Sequence, residues 1–458
     1  MTTQLISSVY VRGLFGLYTY RLPTEGRFQD AAILYGENGL GKSTLLRLVF
    51  HLLSPAENRG HRSVLYSTPF EELEVRLGSG ATLRAVKEGP DSQSLRLTIE
   101  KDASTVASWR YLPTHLGRER VLQQELVFQR EGSRRVRSTA HQRALLLEVN
   151  EGEYQYLQTL REVAPTAFIL NAERRLDSDS VADPSDEVEL RRMMQVNEPK
   201  RIQDLVVRSR EIALSQAFAS AARWINTRVF QSANRGSTNV HTVYANVLKH
   251  LVAGSARKPK QRPLDAAALI ERLRVIQDKS TQYAKYELAV PLPTADFVGA
   301  LEGKAGSKRA LVGRLLEPYI ESLEGRLSAI DQVYAIVDRF VVTINSFLQD
   351  KVLSYSPGSG FAIYNRIGAQ LTPAQLSSGE QQLLLLFCYI LTARDTPSVF
   401  MIDEPEISLN VKWQRQLVQS LVELTDRATT QFIFASHSME LLAQHRSRVV
   451  RLTPTDGN

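Results

Sequence analysis

The sequence predicts an α/β protein: a parallel sheet carrying a phosphate loop, an antiparallel β layer beside it, and a helical, coiled-coil-like insertion. Three observations support this. A glycine-rich loop, Gly36–Ser43, sits between the apolar run Ala31–Gly36 and a run of helical periodicity, "KSTLLRLVFHLL". Strand-like and helix-like runs alternate again after Asp350, the pattern of a parallel sheet. Between about Asp186 and Asp350 the periodicity is overwhelmingly helical.

Composition sets the bounds. A chain of 458 residues with 43% apolar and 23% charged residues can bury a large core and make two or three domains. The formal net charge of +7 permits a nucleic-acid partner without requiring one. A single cysteine, Cys388, excludes an intrachain disulfide and suits a reducing compartment. No run is apolar enough for a membrane span, and the N-terminal stretch lacks a basic segment followed by a long apolar one. The expectation is a cytoplasmic protein with no membrane partner. Residues 1–185 read as an N-terminal lobe, 186–350 as a helical insertion and 351–458 as a C-terminal lobe.

Along the chain, "LISSVYVRGLFGLYTYRL" reads as two strands joined at Gly13–Gly16. "EELEVRLGSGATLRAVKEG" alternates around Gly78–Gly80 as a hairpin, and "SLRLTIEKD" adds a strand. "TAFIL" is a buried strand leading to Arg174–Arg175, weak candidates for a nucleotide or dimer contact. Arg130–Arg143 is arginine-rich, suited to DNA, to an acidic protein, or to plain solvation. Leu316, Ile320, Leu323, Leu327, Ile330, Tyr334, Val337, Val341, Ile344 and Leu348 repeat at alternating spacings of four and three. That is a coiled-coil seam or the core stripe of a long bundle helix. Leu264–Gln277 is the expected partner, running antiparallel to it.

Four stretches carry chemistry. Gly36-x-x-x-x-Gly41-Lys42-Ser43 fits a phosphate loop. Its glycines, with Asn38 and Gly39 between them, let backbone N–H groups turn inward around a triphosphate. Lys42 reaches the β- and γ-phosphates, Ser43 supplies a ligand to Mg²⁺, and Thr44 follows in the first helical turn. "SVFMIDEPEISLN" places Asp403 and Glu404 at the end of an apolar strand, where α/β sheets bind ligands. Asp403 is suited to hold Mg²⁺ and Glu404 to act as general base on a water. "LSSGEQQLLLLFCYIL" starts an apolar helix at Ser378 and Gly379. Ser378 and Gln381 have capping-box spacing, which makes the stretch either a capped buried helix or a second anion site. "FIFASHS" ends a strand at His437, one helix and one strand beyond the acidic run. A histidine so placed is most often structural, but this order puts it on the neighbouring edge of the site, within reach of a γ-phosphate.

These four pieces, in this order, resemble the ATP-binding-cassette (ABC) ATPases. Gly36–Ser43 is similar to the Walker A loop, Phe400–Glu404 to Walker B, Leu376–Gln382 to the signature motif and His437 to the switch histidine. "PEISLN" resembles the D-loop, with Asn410 where Asp or His is usual. Gln129 is the candidate Q-loop glutamine. The resemblance implies ATP and Mg²⁺ as ligands. It also implies head-to-tail homodimers, or higher homo-oligomers, in which Ser378 and Gly379 complete the site built on Lys42 of a second subunit. The long helical insertion is similar to the SMC, RecF and overcoming-lysogenization-defect branches. "ILNAERRL" and "DEPEISLN" look most like bacterial anti-phage ATPases of the PARIS kind, with the Septu ATPase close behind. That likeness implies a sensor and scaffold triggered by a phage protein. No carboxylate cluster for nucleic-acid cleavage follows His437, so the effector nuclease would be a separate, Toprim-like chain. The competing expectation is a DNA-binding ATPase of repair or chromosome maintenance.

Overall fold

The computed structural model describes residues 4–57, 59–88, 94–113, 152–171, 176–179, 211–232, 265–302, 307–406 and 411–454. The chain divides into two compact units, residues 1–202 with 393–458, and residues 203–392. Gln129, Arg130–Arg143, Arg174–Arg175 and Asn410 lie outside the described residues.

The first unit contains β1 (Ile6–Leu14), β2 (Tyr18–Leu22), β3 (Ala31–Tyr35), α1 (Lys42–Leu53), α2 (His61–Ser67), β4 (Glu72–Leu77), β5 (Thr82–Lys87), β6 (Leu95–Lys101) and β7 (Ser104–Tyr111). A helix over 152–163, α3, and strands β8 (Thr166–Leu170) and β9 (Leu176–Ser178) follow. The second unit contains α4 (211–232), α5 (Ala266–Ala284), α6 (Ala295–Glu302), α7 (Ser307–Phe347), β10 (Lys351–Ser356), β11 (Gly360–Asn365), β12 (Gln370–Leu371) and α8 (Ser378–Thr392). The chain then returns to the first unit with β13 (Ser398–Asp403), α9 (Val411–Leu424), β14 (Thr430–Ser436), α10 (Met439–Gln444) and β15 (Val449–Arg451).

In the first unit one sheet has the order β15-β3-β14-β13-β8-β9, parallel except for β9. The other is antiparallel, β2-β1-β4-β5-β6-β7. The parallel core and antiparallel layer are therefore as expected, with β7, β9 and β15 beyond the expected strands. Leu45, Leu48, Val49 and Leu52 of α1 share one buried core with Val9 and Val11 of β1, Leu73 and Val75 of β4, and Val399, Met401 and Ile433 of the parallel sheet. Such all-round apolarity is what a helix between two layers requires. Alternate residues point to the other face, where Phe400 stacks on Phe168 at 4.4 Å and on Phe432 at 5.7 Å. Gln431, fully buried on β14, joins the two sheets. Its Oε1 accepts from Ile6 N (2.7 Å), and its Nε2 donates to Ile6 O and Gln29 O, both at 2.9 Å. A buried amide survives here because its hydrogen bonds are made.

In the second unit β10, β11 and β12 form a separate antiparallel sheet rather than extending a parallel one. Helix α7 runs unbroken for 41 residues, and Ile320, Leu327, Val337, Val341 and Ile344 of the expected seam are buried. The direction of its partner is corrected. Arg272 pairs with Glu324 (2.7 and 2.8 Å), Lys279 with Asp331 (2.8 Å), and Tyr286 Oη donates to Asp338 Oδ1 (2.8 Å). Both numbers climb together by heptad steps at a constant offset of 52, so α5 and α7 run parallel, not antiparallel. The chain returns between them as an extended strap that lies back along α5. Leu292 N donates to Ser280 Oγ (3.1 Å), and Thr294 Oγ1 donates to Gln277 Oε1.

Candidate nucleotide site

The phosphate loop leaves β3 and enters α1 through two left-handed glycines, Gly39 at φ 88° and Gly41 at φ 81°. A Cβ on Gly41 would stand 2.9 Å from Leu14 Cδ2 and 3.1 Å from Phe15 Cε2, so any side chain there clashes as well as straining the backbone. The β1–β2 turn thus lies against the loop. Tyr20, from the same hairpin, donates its hydroxyl to Leu40 O at 3.0 Å, and burial pushes that phenol up to about 12. Asn38 and Gly39 are exposed; Gly36 is buried.

Lys42 is buried, and its Nζ donates to Gly36 O (2.6 Å) and Glu37 O (2.9 Å), closing the loop on itself. Ser43 Oγ donates to Asp403 Oδ1 at 2.9 Å, across 360 positions of sequence. This bond brings the loop and the acidic strand end together. Thr44 is partly buried in the first turn of α1. Burial is the largest influence on Asp403 and pushes its carboxyl above the ordinary carboxylate range. The Ser43 hydrogen bond and Lys42 oppose this, while Glu404 and Glu406 add to it. A partly buried oxygen pair under carboxylate repulsion fits a hard divalent cation, which takes oxygen ligands and relieves that repulsion.

Glu404 sits at φ 46°, a left-handed conformation costly for a side-chain-bearing residue. Its N–H still donates to Ala435 O at 2.8 Å, so the ladder with β14 runs up to the start of the turn. Strand β14 lies between β3 and β13, which puts His437 beside the acidic pair as expected. His437 Nδ1 is 3.6 Å from Glu404 Oε1 and 3.5 Å from Glu406 Oε1.

Sequence reasoning passed over Glu406. It is 8% exposed, and its Oε1 accepts from Ser436 Oγ (2.7 Å), His437 N (3.0 Å) and Ser438 N (3.0 Å). A second carboxylate three residues past an acidic strand end, before a Ser-His-Ser run, was the available signal.

Ser378 and Gly379 belong to the second unit, and their local geometry differs from the expectation. The N-cap of α8 is Ser377, not Ser378: Gln381 N donates to Ser377 O at 2.9 Å, and Glu380 N to Ser377 Oγ at 3.3 Å. The reciprocal partner is Glu380, whose Oε2 accepts from Ser377 N (2.7 Å) and Oγ (2.9 Å). Lys351 holds that carboxylate at 2.7 and 3.0 Å. Gln381 instead donates to Pro373 O at 2.7 Å. Ser378 is therefore exposed in the first turn and takes no part in the cap, while Gly379 is buried.

The SMC head domain of Pyrococcus furiosus with an extended coiled coil aligns over 96% of this chain and 91% of its own, at 13% identity and a TM-score of 0.33. The SMC head domain with coiled coil and joint from Pyrococcus yayanosii aligns over 96% and 93%, at 15% identity and a TM-score of 0.32. The lipoprotein-releasing system ATP-binding protein LolD of Ruegeria pomeroyi is 35% identical over 96 residues, 20% of this chain; the match spans 40% of that relative's length. The family described as "AAA domain, putative AbiEii toxin, Type IV TA system" matches residues 31–443, and the chain belongs to that family.

Proposed function

We propose that this chain binds ATP with Mg²⁺ and hydrolyses it at the site built by Gly36–Thr44, Asp403, Glu404 and His437. The observation that carries this reading is the Ser43–Asp403 hydrogen bond, which joins the phosphate loop to the acidic strand end. Ser43 and Asp403 would hold Mg²⁺, whose charge offsets that of the phosphates. Lys42 exchanges its two loop carbonyls for phosphate oxygens, keeping its donors satisfied throughout. Glu404, about a quarter exposed at the strand edge, orients a water and accepts its proton. His437 contacts the γ-phosphate from the neighbouring strand.

The finer reading is a head-to-tail homodimer formed through ATP, in which exposed Ser378 and the N-terminus of α8 complete a second subunit's site. The dimer then serves as a sensor and scaffold in anti-phage defence, controlling a separate Toprim-like nuclease. Support comes from the motif resemblance, from the exposure of Ser378, and from a family described as a toxin of a type IV TA system. A DNA-binding role has the Arg130–Arg143 stretch in its favour. Nucleotide binding, turnover and particle mass should be measured for the parent, Lys42→Ala and Glu404→Gln proteins. Lys42→Ala should bind no ATP, and Glu404→Gln should accumulate as an ATP-bound dimer. Undiminished hydrolysis by Glu404→Gln would remove the assigned base. A DNA affinity falling steeply with salt would move the role toward DNA maintenance.

A further inference from the structure

Glu406 is a buried carboxylate that the assigned chemistry leaves unused. Its neighbours make it costly: with Glu404 it pushes the Asp403 carboxyl up, and among the described residues its own Oε2 has no partner. A buried charge with an unsatisfied oxygen persists only where something compensates. Here the compensation is on Oε1. That atom accepts from Ser436 Oγ and from two successive backbone N–H groups, His437 and Ser438. These donors belong to the turn that leaves β14, about 30 positions further along the chain. The left-handed backbone at Glu404 bends the chain sharply just before Pro405, and the side chain of Glu406 crosses back to the β14 turn. A second tie runs parallel to it. Gln414 on α9 donates to Glu406 O (3.3 Å) and accepts from Ser438 Oγ (3.0 Å). Ser438 N also donates to Ser436 Oγ at 3.0 Å, which closes the turn. The imidazole of His437 is half exposed, and among the described residues its nearest side-chain partners are the Glu404 and Glu406 carboxylates at 3.6 and 3.5 Å. Its placement is therefore set by its backbone, and its backbone is held by Glu406.

We infer that Glu406 is a positioning residue for hydrolysis: one carboxylate oxygen gathers the Ser436–Ser438 turn and presents His437 beside Glu404. This rests on the reading of His437 as the γ-phosphate contact. The mechanism needs an acceptor at Oε1 more than it needs charge, so glutamine should substitute better than alanine.

The test combines amide exchange with a mutant cycle on the full chain. Glu406→Ala should expose the His437 and Ser438 amides to exchange. It should lower kcat by roughly 10–100-fold, the scale of a misplaced catalytic contact. The KM for ATP should stay within about threefold, since ground-state binding is untouched. Glu406→Gln should recover most of kcat. In a His437→Ala background, adding Glu406→Ala should change kcat by less than about threefold, because two residues acting as a unit are not additive. Unchanged amide protection, or an equal loss from Glu406→Ala with and without His437, overturns the inference while leaving ATP hydrolysis standing. A parent protein that turns over no ATP overturns the proposed function itself.

Discussion

The acidic end of β13 and the paired helices α5 and α7 are both held by charge and hydrogen bonding, yet they are built on opposite plans. At β13 each contact is unique and reaches far through the sequence. Ser43 meets Asp403, and Glu406 meets the β14 turn, with Asp403 and Glu406 both under a tenth exposed. Along the helices the same contact is repeated each heptad at one offset, and the pairing side chains are about a third to a half exposed. Buried, unique contacts have no substitute, and removing one leaves a partner unsatisfied. Exposed, repeated contacts are redundant and screened by solvent. The site should therefore fail at single substitutions, and the helix pair should fail only in its apolar seam.

The widest break in the comparison is at Glu404. Glu404→Gln should lower kcat by about 10²–10⁴-fold, the usual worth of a general base, with ATP binding retained. Steady-state turnover and nucleotide binding on one preparation check this. Next is the seam. Ile320→Ala, at a fully buried position of α7, should cost about 2–5 kcal/mol. Denaturant unfolding of the helical unit, followed by circular dichroism, measures it. A loss below ~0.5 kcal/mol would mean that the seam is not packed as described.

A third test turns on a histidine pair, His51 near the C-terminal end of α1 and His61 at the start of α2. His51 Nδ1 lies 2.8 Å from His61 Nδ1, and His61 Nε2 lies 2.9 Å from Asp179 Oδ1. Burial first, then the charges of His61, Arg47 and Arg62, push His51 down to about 3. The unfolded chain, near 6.5, takes up this proton first as pH falls. The contribution of His51 is thus complete above about 6.5 and drains away toward 3, at about 1.4 kcal/mol per pH unit. His51→Phe should flatten the stability profile between those values, although its neutral-pH stability falls with the lost hydrogen bond. Chemical denaturation at several pH values reads both effects.

The smallest effect sharpens the direction of the helix pair. Arg272→Glu should cost only about 0.2–1 kcal/mol, as exposed pairs do, and Glu324→Arg in the same chain should restore it. Rescue by Glu324→Arg ties the parallel register to a residue pair. An antiparallel register would bring other residues opposite Arg272 and give no rescue.

The local features of this protein were readable from its residues because their causes are local. The phosphate loop lies between strand and helix since glycines at 39 and 41 permit the left-handed turn and Lys42 starts an apolar helix. The hairpins β1–β2 and β4–β5 follow from alternation and turn residues, and α7 follows from its apolar stripe. Where two readings had the same local pattern, only the assembled chain could choose. Ser377-x-x-Glu380 and Ser378-x-x-Gln381 both have capping-box spacing, and Lys351 decided between them by neutralising Glu380. A heptad pattern reads the same in either direction, so periodicity could not orient α5; the return strap along Ser280 and Gln277 did. Glu406 was invisible as a functional residue because its direction depends on the backbone angle at Glu404 and its partners lie on another strand. Sequence alone thus determined the elements, through short-range sterics and periodicity. Tertiary structure decided which donors meet which acceptors, because that depends on strand order and burial, which no local run encodes.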